Sequence, residues 1–417
     1  MASDRASGLR VACVTSRFPK LTETFVLYEI LGLQRHGVRV DLYPLLRERT
    51  EVMHPEAVPV VAQARFLPFV SPAILRSQLW FLRHRPRAYL AALRDLLRGT
   101  WGSLNFFVGA VGIFPKVAHI ARLCESDGVD HVHCQFATHA AAAGFVIRRL
   151  TGIPYSFTAH GSDLHVDRRM LPEKLAEAAF AVPISEYNRD VILRECAGRF
   201  GDKLEVIHAG IDTSFFRARN GSRGAAGPLS ILSVGTLHEV KGQAYLIEAC
   251  RQLERDGVDF VCRLVGDGPD RGALEDQIAA AGLQARVFVL GPRPRAEVAE
   301  LMRASDVLVA PSVPTRQGKR EGLPIVLMEA LASGLAVVAS RLAGIPELVE
   351  DGRTGLLVEP RDAAGLAAAL RRLADDPALR ERLADAGRAK VELEFDAYEN
   401  AARLAARCAR AARAATA

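Results

Sequence analysis

Apolar residues in this chain come in two rhythms. Short unbroken runs rich in Val, Ile and Leu alternate with longer stretches in which apolar positions return every three or four residues. The first rhythm fits strands buried on both faces, and the second fits the helices that cover them. In the first half the pattern predicts strands at 9–16, 38–42, 129–134, 155–159 and 181–184, with helices at 24–35 and 137–150. In the second half it predicts strands at 229–234, 260–265, 287–290, 307–310 and 336–339. Helices are expected at 243–256, 272–281, 296–304, 323–333, 363–374 and 378–395, and one more at 397–417. Strands alternating with helices indicate parallel α/β sheet. The small-residue run at 217–228 is the best domain boundary. The expectation is therefore two doubly wound domains, 1–216 and 229–395, a linker at 217–228 and a terminal helix within 396–417. Ligands of such sheets bind beyond the carboxyl ends of the strands, so a cleft faced by both sheets is the expected site.

Length agrees: 417 residues exceed what one core usually supports. With 49% hydrophobic and 24% charged residues the composition is that of an ordinary globular chain. Seven cysteines with no Cys-x-x-Cys pair sit mostly in apolar stretches, which predicts buried, reduced thiols and a cytoplasmic protein rather than a disulfide scaffold. Met-Ala-Ser-Asp-Arg leads almost directly into a strand, so no signal peptide is expected. Nor does any apolar run reach the roughly 18–20 residues that span a membrane.

Charge changes the picture in one place. Residues 1–210 hold 26 Lys/Arg against 20 Asp/Glu, whereas 211–417 hold 28 of each. Within the first half, residues 65–122 carry nine basic residues against one acid, Asp95. Large aromatics are interleaved, among them Phe69, Trp80, Trp101 and Phe107. Such a mixture suits peripheral contact with an anionic membrane surface. It equally suits solvated helices whose aromatics face the core, and both readings stand at this point. A nucleic-acid reading has no recognition motif to support it.

The most telling chemistry lies in Glu321-Gly-Leu-Pro-Ile-Val-Leu-Met-Glu329. Pro324 suits the first helical position, since it lacks the N–H that would be unpaired there. That puts Glu321 in the preceding loop and Glu329 in the second turn, roughly 12 Å apart along the axis. Between them lies a helix start whose free N–H groups favour an anion. The arrangement suits a nucleotide-diphosphate sugar, with one carboxylate on the sugar and the other on the ribose. Glu329 is also the only charge between Leu323 and Ser340, and a carboxylate in a buried run needs a partner.

Several motifs in order then carry a resemblance. They are Thr-Ala-His160-Gly-Ser-Asp163, Ile184-Ser-Glu-Tyr187, the segment 206–216, Gly235–Gly242 with Lys241, Leu-Val-Gly-Asp-Gly-Pro at 264–269, and the stretch 321–355. This set resembles the retaining family 4 glycosyltransferases with two glutamates eight residues apart (the EX7E type) and the two-domain GT-B fold. The segments 16–25 and 133–139 are similar to those of transferases that build bacterial exopolysaccharide of the colanic-acid type. The resemblance implies an acceptor-binding first domain and a nucleotide-sugar-binding second one. It assigns Glu321 to the transferred sugar, Glu329 to the ribose, Lys241 to the diphosphate and His160 to a sugar hydroxyl, with Asp163 a weaker candidate. Gly235, Thr236 and Gly291 are assigned to substrate binding, as are Gly322, Leu323 and Ile325 through their backbone N–H groups, while Pro324 shapes the turn. The family's usual arginine is Thr236 here, so one phosphate-neutralising charge is missing. Arg316, Lys319 or Arg320 could replace it.

The implied chemistry is transfer with retention by front-face displacement. No Asp-x-Asp motif occurs, so no metal and no cofactor are expected, with Lys241 and the helix start stabilising the leaving group. UDP is the first donor nucleotide to consider and GDP the next. A polyprenyl-diphosphate-linked saccharide is the expected acceptor, met at the inner face of the plasma membrane. The alternatives are a soluble natural-product acceptor, an epimerase or phosphorylase of the same architecture, and a non-catalytic nucleotide-sugar-binding subunit.

Overall fold

The computed structural model describes residues 8–20, 23–48, 54–165, 168–216, 227–315 and 320–416. They form two compact units, Met1–Ala209 with Ala397–Ala417, and Gly210–Asp396. The predicted linker lies largely outside the described residues. Residues 210–216, expected in the first domain, belong to the second, where Ile211 N donates to Phe395 O (3.0 Å) and Thr213 Oγ1 to Asp396 Oδ2 (2.5 Å).

The first unit runs β1 (Arg10–Phe18), α1 (Thr24–Arg35), β2 (Arg39–Arg47), α2 (Ala57–Gln63), α3 (Pro72–His84), α4 (Pro86–Thr100) and α5 (Leu104–Ser126). It continues through β3 (His131–Gln135), α6 (His139–Thr151), β4 (Tyr155–Ala159), α7 (Ser162–His165), α8 (Leu171–Glu177), β5 (Phe180–Pro183) and α9 (Glu186–Glu195). Its five strands are parallel in the order β2-β1-β3-β4-β5. Helices start where the sequence supplies caps. Ser71 Oγ accepts from Ile74 N (3.2 Å) ahead of Pro72, and Ser185 Oγ accepts from Asn188 N (3.1 Å). The basic stretch is three helices, and four of its nine large aromatics, Phe81, Tyr89, Phe106 and Phe114, are buried in the core, while Phe69 and Trp101 are exposed. Helix α5 corrects the expectation about apolar runs, because its 23 residues are long and apolar enough to span a membrane. Half of that segment is instead buried within the unit, where Ala110, Phe114, Val117 and Ala121 join the core.

The second unit runs β6 (Leu229–Val234), α10 (Gln243–Arg255), β7 (Phe260–Val265), α11 (Arg271–Ala280), β8 (Val287–Gly291) and α12 (Arg295–Ala304). Then come β9 (Val307–Ala310), α13 (Ile325–Ala332), β10 (Ala336–Ser340), α14 (Ile345–Leu348), β11 (Leu356–Val358), α15 (Ala363–Asp375) and α16 (Pro377–Glu394). The sheet is parallel in the order β11-β10-β9-β6-β7-β8. Strand order reverses between β6 and β9, and that reversal opens a crevice at their carboxyl ends. Helix α17 (Ala397–Thr416) leaves this unit and packs in the first, where Ala401, Leu404, Ala405 and Cys408 join Leu33 and Val11. All seven cysteines are buried and unbridged.

Candidate active site

In the second unit the predicted residues meet at the β6/β9 reversal. Strand β6 ends at Val234; the N–H of Gly235 donates to Val265 O (2.9 Å), and exposed Thr236 follows. A single 3₁₀ turn, Glu239–Lys241, then delivers Lys241. Gly242 makes the turn possible: its φ is +70°, and a Cβ there would lie 1.9 Å from Pro311 O, just beyond β9. Lys241 Nζ is ion-paired with Glu321 Oε1, and Ser312 Oγ donates to Glu321 Oε2 (2.8 Å). Ser312 is itself buried, two residues past the end of β9. The structure thus gathers a cation, a carboxylate and a hydroxyl from three separate segments. Gln243 Nε2 donates to Thr236 O (3.2 Å) and ties the turn to the strand end.

Helix α13 differs from expectation in its first residue. Pro324, expected as the first helical residue, is the N-cap instead, with ψ at 119°, and the helix begins at Ile325. The N–H groups of Gly322, Leu323 and Ile325 donate to no backbone carbonyl among the described residues. Such free donors at a helix start are what an anionic group would occupy. Glu329 lies in the second turn as expected, but it keeps some exposure where full burial was expected. Its carboxyl accepts no side-chain hydrogen bond among the described residues, and burial pushes its pKa up to about 7 against the attraction of Arg295. Arg295 opens α12 and lies over the Phe215 ring at 4.0 Å. Gly291 ends β8 with φ +74°, and its carbonyl accepts from Gly266 N (3.0 Å). Of the proposed substitutes for the missing arginine, Arg316 and Lys319 lie outside the described residues and Arg320 is exposed. Arg295, which the sequence reading passed over, is a cation whose charge acts on Glu329.

The first unit holds His160 immediately after β4. Its ring lies between Phe25 (4.5 Å between centroids) and Phe136 (4.6 Å). Nε2 lies 2.9 Å from Gln135 Oε1, and Gln135 Nε2 donates to Glu29 Oε1 on α1. Because the Gln135 amide donates to Glu29, its oxygen takes the Nε2–H of His160, which leaves Nδ1 as the acceptor nitrogen. Nδ1 is buried and has no partner. Burial and the neighbouring His133 push the His160 pKa down to about 3, so the ring is neutral at any physiological pH. A polar chain continues beneath it: His133 bonds Thr158 Oγ1 (3.0 Å) and Ser156 Oγ (2.8 Å), and His131 bonds Ser156 (2.7 Å). Asp163 accepts from the N–H groups of Ala137 (2.6 Å), His160 (3.0 Å) and Gly161 (2.8 Å). Its carboxylate is thus a clip for the loop that carries His160. Burial raises its pKa, and those N–H groups pull the other way.

Three supporting residues, Glu29, Gln135 and Ser312, were missed in the sequence. A signal existed for one of them. His131, His133 and Gln135 occupy alternate positions of a strand that is buried throughout, and polar residues repeating every second position on a buried strand mark a hydrogen-bonded face.

The comparisons with known proteins fit this geometry. Residues 102–215 match the model of Glycosyltransferase Family 4, and residues 216–390 that of Glycosyl transferases group 1. A Salmonella typhimurium protein assigned to colanic acid biosynthesis as glycosyltransferase WcaL is 31% identical over 376 residues, 87% of this chain and 90% of its own. The amylovoran biosynthesis glycosyltransferase AmsK of Erwinia amylovora is 36% identical over 247 residues, 57% of this chain and 60% of its own. Among solved structures, Anabaena HepE in complex with UDP superposes with a TM-score of 0.69 at 20% identity, covering 95% of this chain and 98% of that one. The chain belongs to the group 1 and family 4 glycosyltransferases and has their two-domain GT-B fold.

Proposed function

We propose that the protein transfers a sugar from a nucleotide-diphosphate sugar, UDP-linked in the first instance, to a hydroxyl of a saccharide acceptor with retention at the anomeric carbon. The cluster of Lys241, Glu321 and Ser312 beside the free N–H groups of Gly322, Leu323 and Ile325 carries this reading. A diphosphate there meets one cation and a set of backbone donors, which offset the charge that grows on it as the sugar leaves. Glu321, held at both oxygens by Lys241 and Ser312, keeps a fixed orientation toward the sugar. Glu329 accepts from ribose hydroxyls, and the neutral imidazole of His160 accepts from a substrate hydroxyl through Nδ1. Retention proceeds by front-face displacement, in which the departing diphosphate takes the proton of the attacking acceptor hydroxyl. No metal or cofactor is needed for these steps. Similarity to the colanic acid and amylovoran transferases supports a role in exopolysaccharide biosynthesis. The acceptor in this reading is a lipid-linked saccharide, met at the inner face of the membrane.

The test is saturation-transfer NMR of the purified protein against UDP-, GDP- and dTDP-sugars. Selective binding of a UDP-sugar, lost in Glu329→Ala, is the expected result. Binding of none would point to a real loss at Thr236 and to a chain that no longer handles donors. NMR of the product's anomeric proton then reads retention directly.

A further inference from the structure

The surface of the first unit is unusually apolar in one region. Eleven of the fourteen exposed large hydrophobic side chains among the described residues lie between Val58 and Val111. On α3, Ile74, Ser77 and Phe81 face inward, while Leu75, Leu79 and Leu82 are 56%, 66% and 43% exposed. Those leucines are spaced i, i+4, i+7 and so form one outward stripe. Arg76 and Arg83 lie along its edge, both exposed and without an ion pair among the described residues. Asp95, the sole acid between residues 65 and 122, is already engaged by Arg94 and Arg149.

Helix α5 adds a second apolar surface for a geometric reason. Over its middle it meets α3, through Gln78 Nε2 to Pro115 O (2.9 Å), Ser77 to His119 (2.8 Å) and Arg122 over Trp80 (3.7 Å). Leu104, Val108 and Val111 continue the Pro115 side of the helix toward its start. They are exposed because α3 begins only level with Lys116, whose Nζ lies 4.1 Å from the Phe69 ring just before that helix. Lys116 itself is buried and bonded to Leu45 O (2.7 Å), so it adds nothing to the surface charge.

We propose that the outward face of α3, with the uncovered start of α5, docks on an anionic lipid bilayer. The leucines enter the boundary of the acyl chains, while Arg76 and Arg83 lie among the headgroup phosphates. A second copy of this chain fits less well. A two-fold contact through this face would set an unpaired row of arginines against its own copy with no acid to meet it. The inference deepens the proposed function by supplying the surface where a lipid-linked acceptor is met. It is read from lipid binding alone, so it fails or stands separately from sugar transfer.

The experiment is co-sedimentation of the full chain with sucrose-loaded vesicles of phosphatidylcholine, with and without phosphatidylglycerol, at low and at physiological salt. Binding to the anionic vesicles only is expected. Arg76→Gln with Arg83→Gln should lower the partition coefficient about thirtyfold. Leu75→Ser with Leu79→Ser should lower it at least as much. All four side chains are exposed, so melting temperatures should not move. Absence of binding, or equal binding to neutral vesicles, overturns the proposal. So does unchanged binding of the leucine variant, which would assign the effect to charge alone. A concentration-dependent dimer in light scattering, lost in the leucine variant, would give the face to a second copy and overturn it as well.

Discussion

Glu329→Gln tests the nucleotide half-site through stability as well as through binding. The Glu329 carboxyl stands at about 7 against 4.5 for a free glutamate. One pH unit of such displacement is worth about 1.4 kcal/mol, so the ionised carboxylate costs the fold about 3 kcal/mol. The side chain keeps some exposure, and solvent screening brings the figure to about 2 kcal/mol. Between pH 4.5 and 7 the folded chain holds a proton that the unfolded chain has lost, so stability falls as pH rises through that window. Glutamine is nearly isosteric and carries no charge, so it removes the fall. The variant should melt with the wild type near pH 5 and several degrees higher at pH 8, at roughly 2–4 °C per kcal/mol. Circular dichroism melts of the full chain across this range make the measurement. Ribose hydroxyls donate to the ionised form, so wild-type affinity for UDP should rise from pH 6 to 8, with proton release in calorimetry. The variant should bind weakly and without that slope. Equal melting temperatures at pH 8 would refute the burial argument, and undiminished UDP affinity would refute the ribose assignment.

Other substitutions probe the remaining contacts. Lys241→Met leaves Glu321 and Ser312 without their cation; it should cost about 1–2 kcal/mol in denaturant melts and abolish transfer, and adding Glu321→Gln should restore stability but not turnover. Gln135→Leu frees the His160 ring, while Glu29 keeps the His133 ring at 3.4 Å, so kcat/KM should fall about a hundredfold, whereas Glu29→Gln, which still offers an acceptor oxygen, should retain most activity. His160 stays neutral down to about pH 3, so the rate profile should show no limb from it between pH 5 and 9; a limb near 6.5 that vanishes in His160→Asn would contradict its burial. Gly242→Ala forces a Cβ to 1.9 Å from Pro311 O, and loss of about 3 kcal/mol or failure to fold is expected.

Much of this was legible because the deciding information is local. The strands at Tyr155–Ala159, Leu229–Val234, Phe260–Val265 and Val307–Ala310 and the helix Thr24–Arg35 fall where the hydrophobic rhythm puts them. Errors gathered where neighbours decide. Strand β2 runs on to Arg47, five residues past the predicted end, because β1 supplies a pairing partner through Phe18. The basic stretch left a membrane surface and core-facing aromatics both open, and only packing divides its rings: Phe81, Tyr89 and Phe114 pack inside the α3–α5 cluster, while Phe69, Trp101 and several leucines are exposed. Asp163 reads as a ligand in its motif but spends its oxygens on three backbone N–H groups.

By itself the sequence determined two parallel α/β units and the strand-end loops that carry the motifs, which rest on a periodicity that a short stretch of chain enforces alone. Spacing singled out Glu321 and Glu329 as candidates, whereas Lys241 and His160 were singled out by the motifs that carry the family resemblance. Tertiary structure decided which groups meet. Lys241 and Glu321 are eighty residues apart and pair only because strand order brings the ends of β6 and β9 side by side. Gln135 and Glu29 are 106 apart and share a hydrogen bond only because the fold brings the side chain of Glu29 on α1 to the carboxyl end of β3. Helix α17 follows the second unit in sequence and joins the first, since the apolar side that holds Ala401 and Leu404 is buried against Leu33 and Val11. Side-chain partners over such distances follow from sheet order and from where one helix stops covering another, and no local pattern in the chain encodes either.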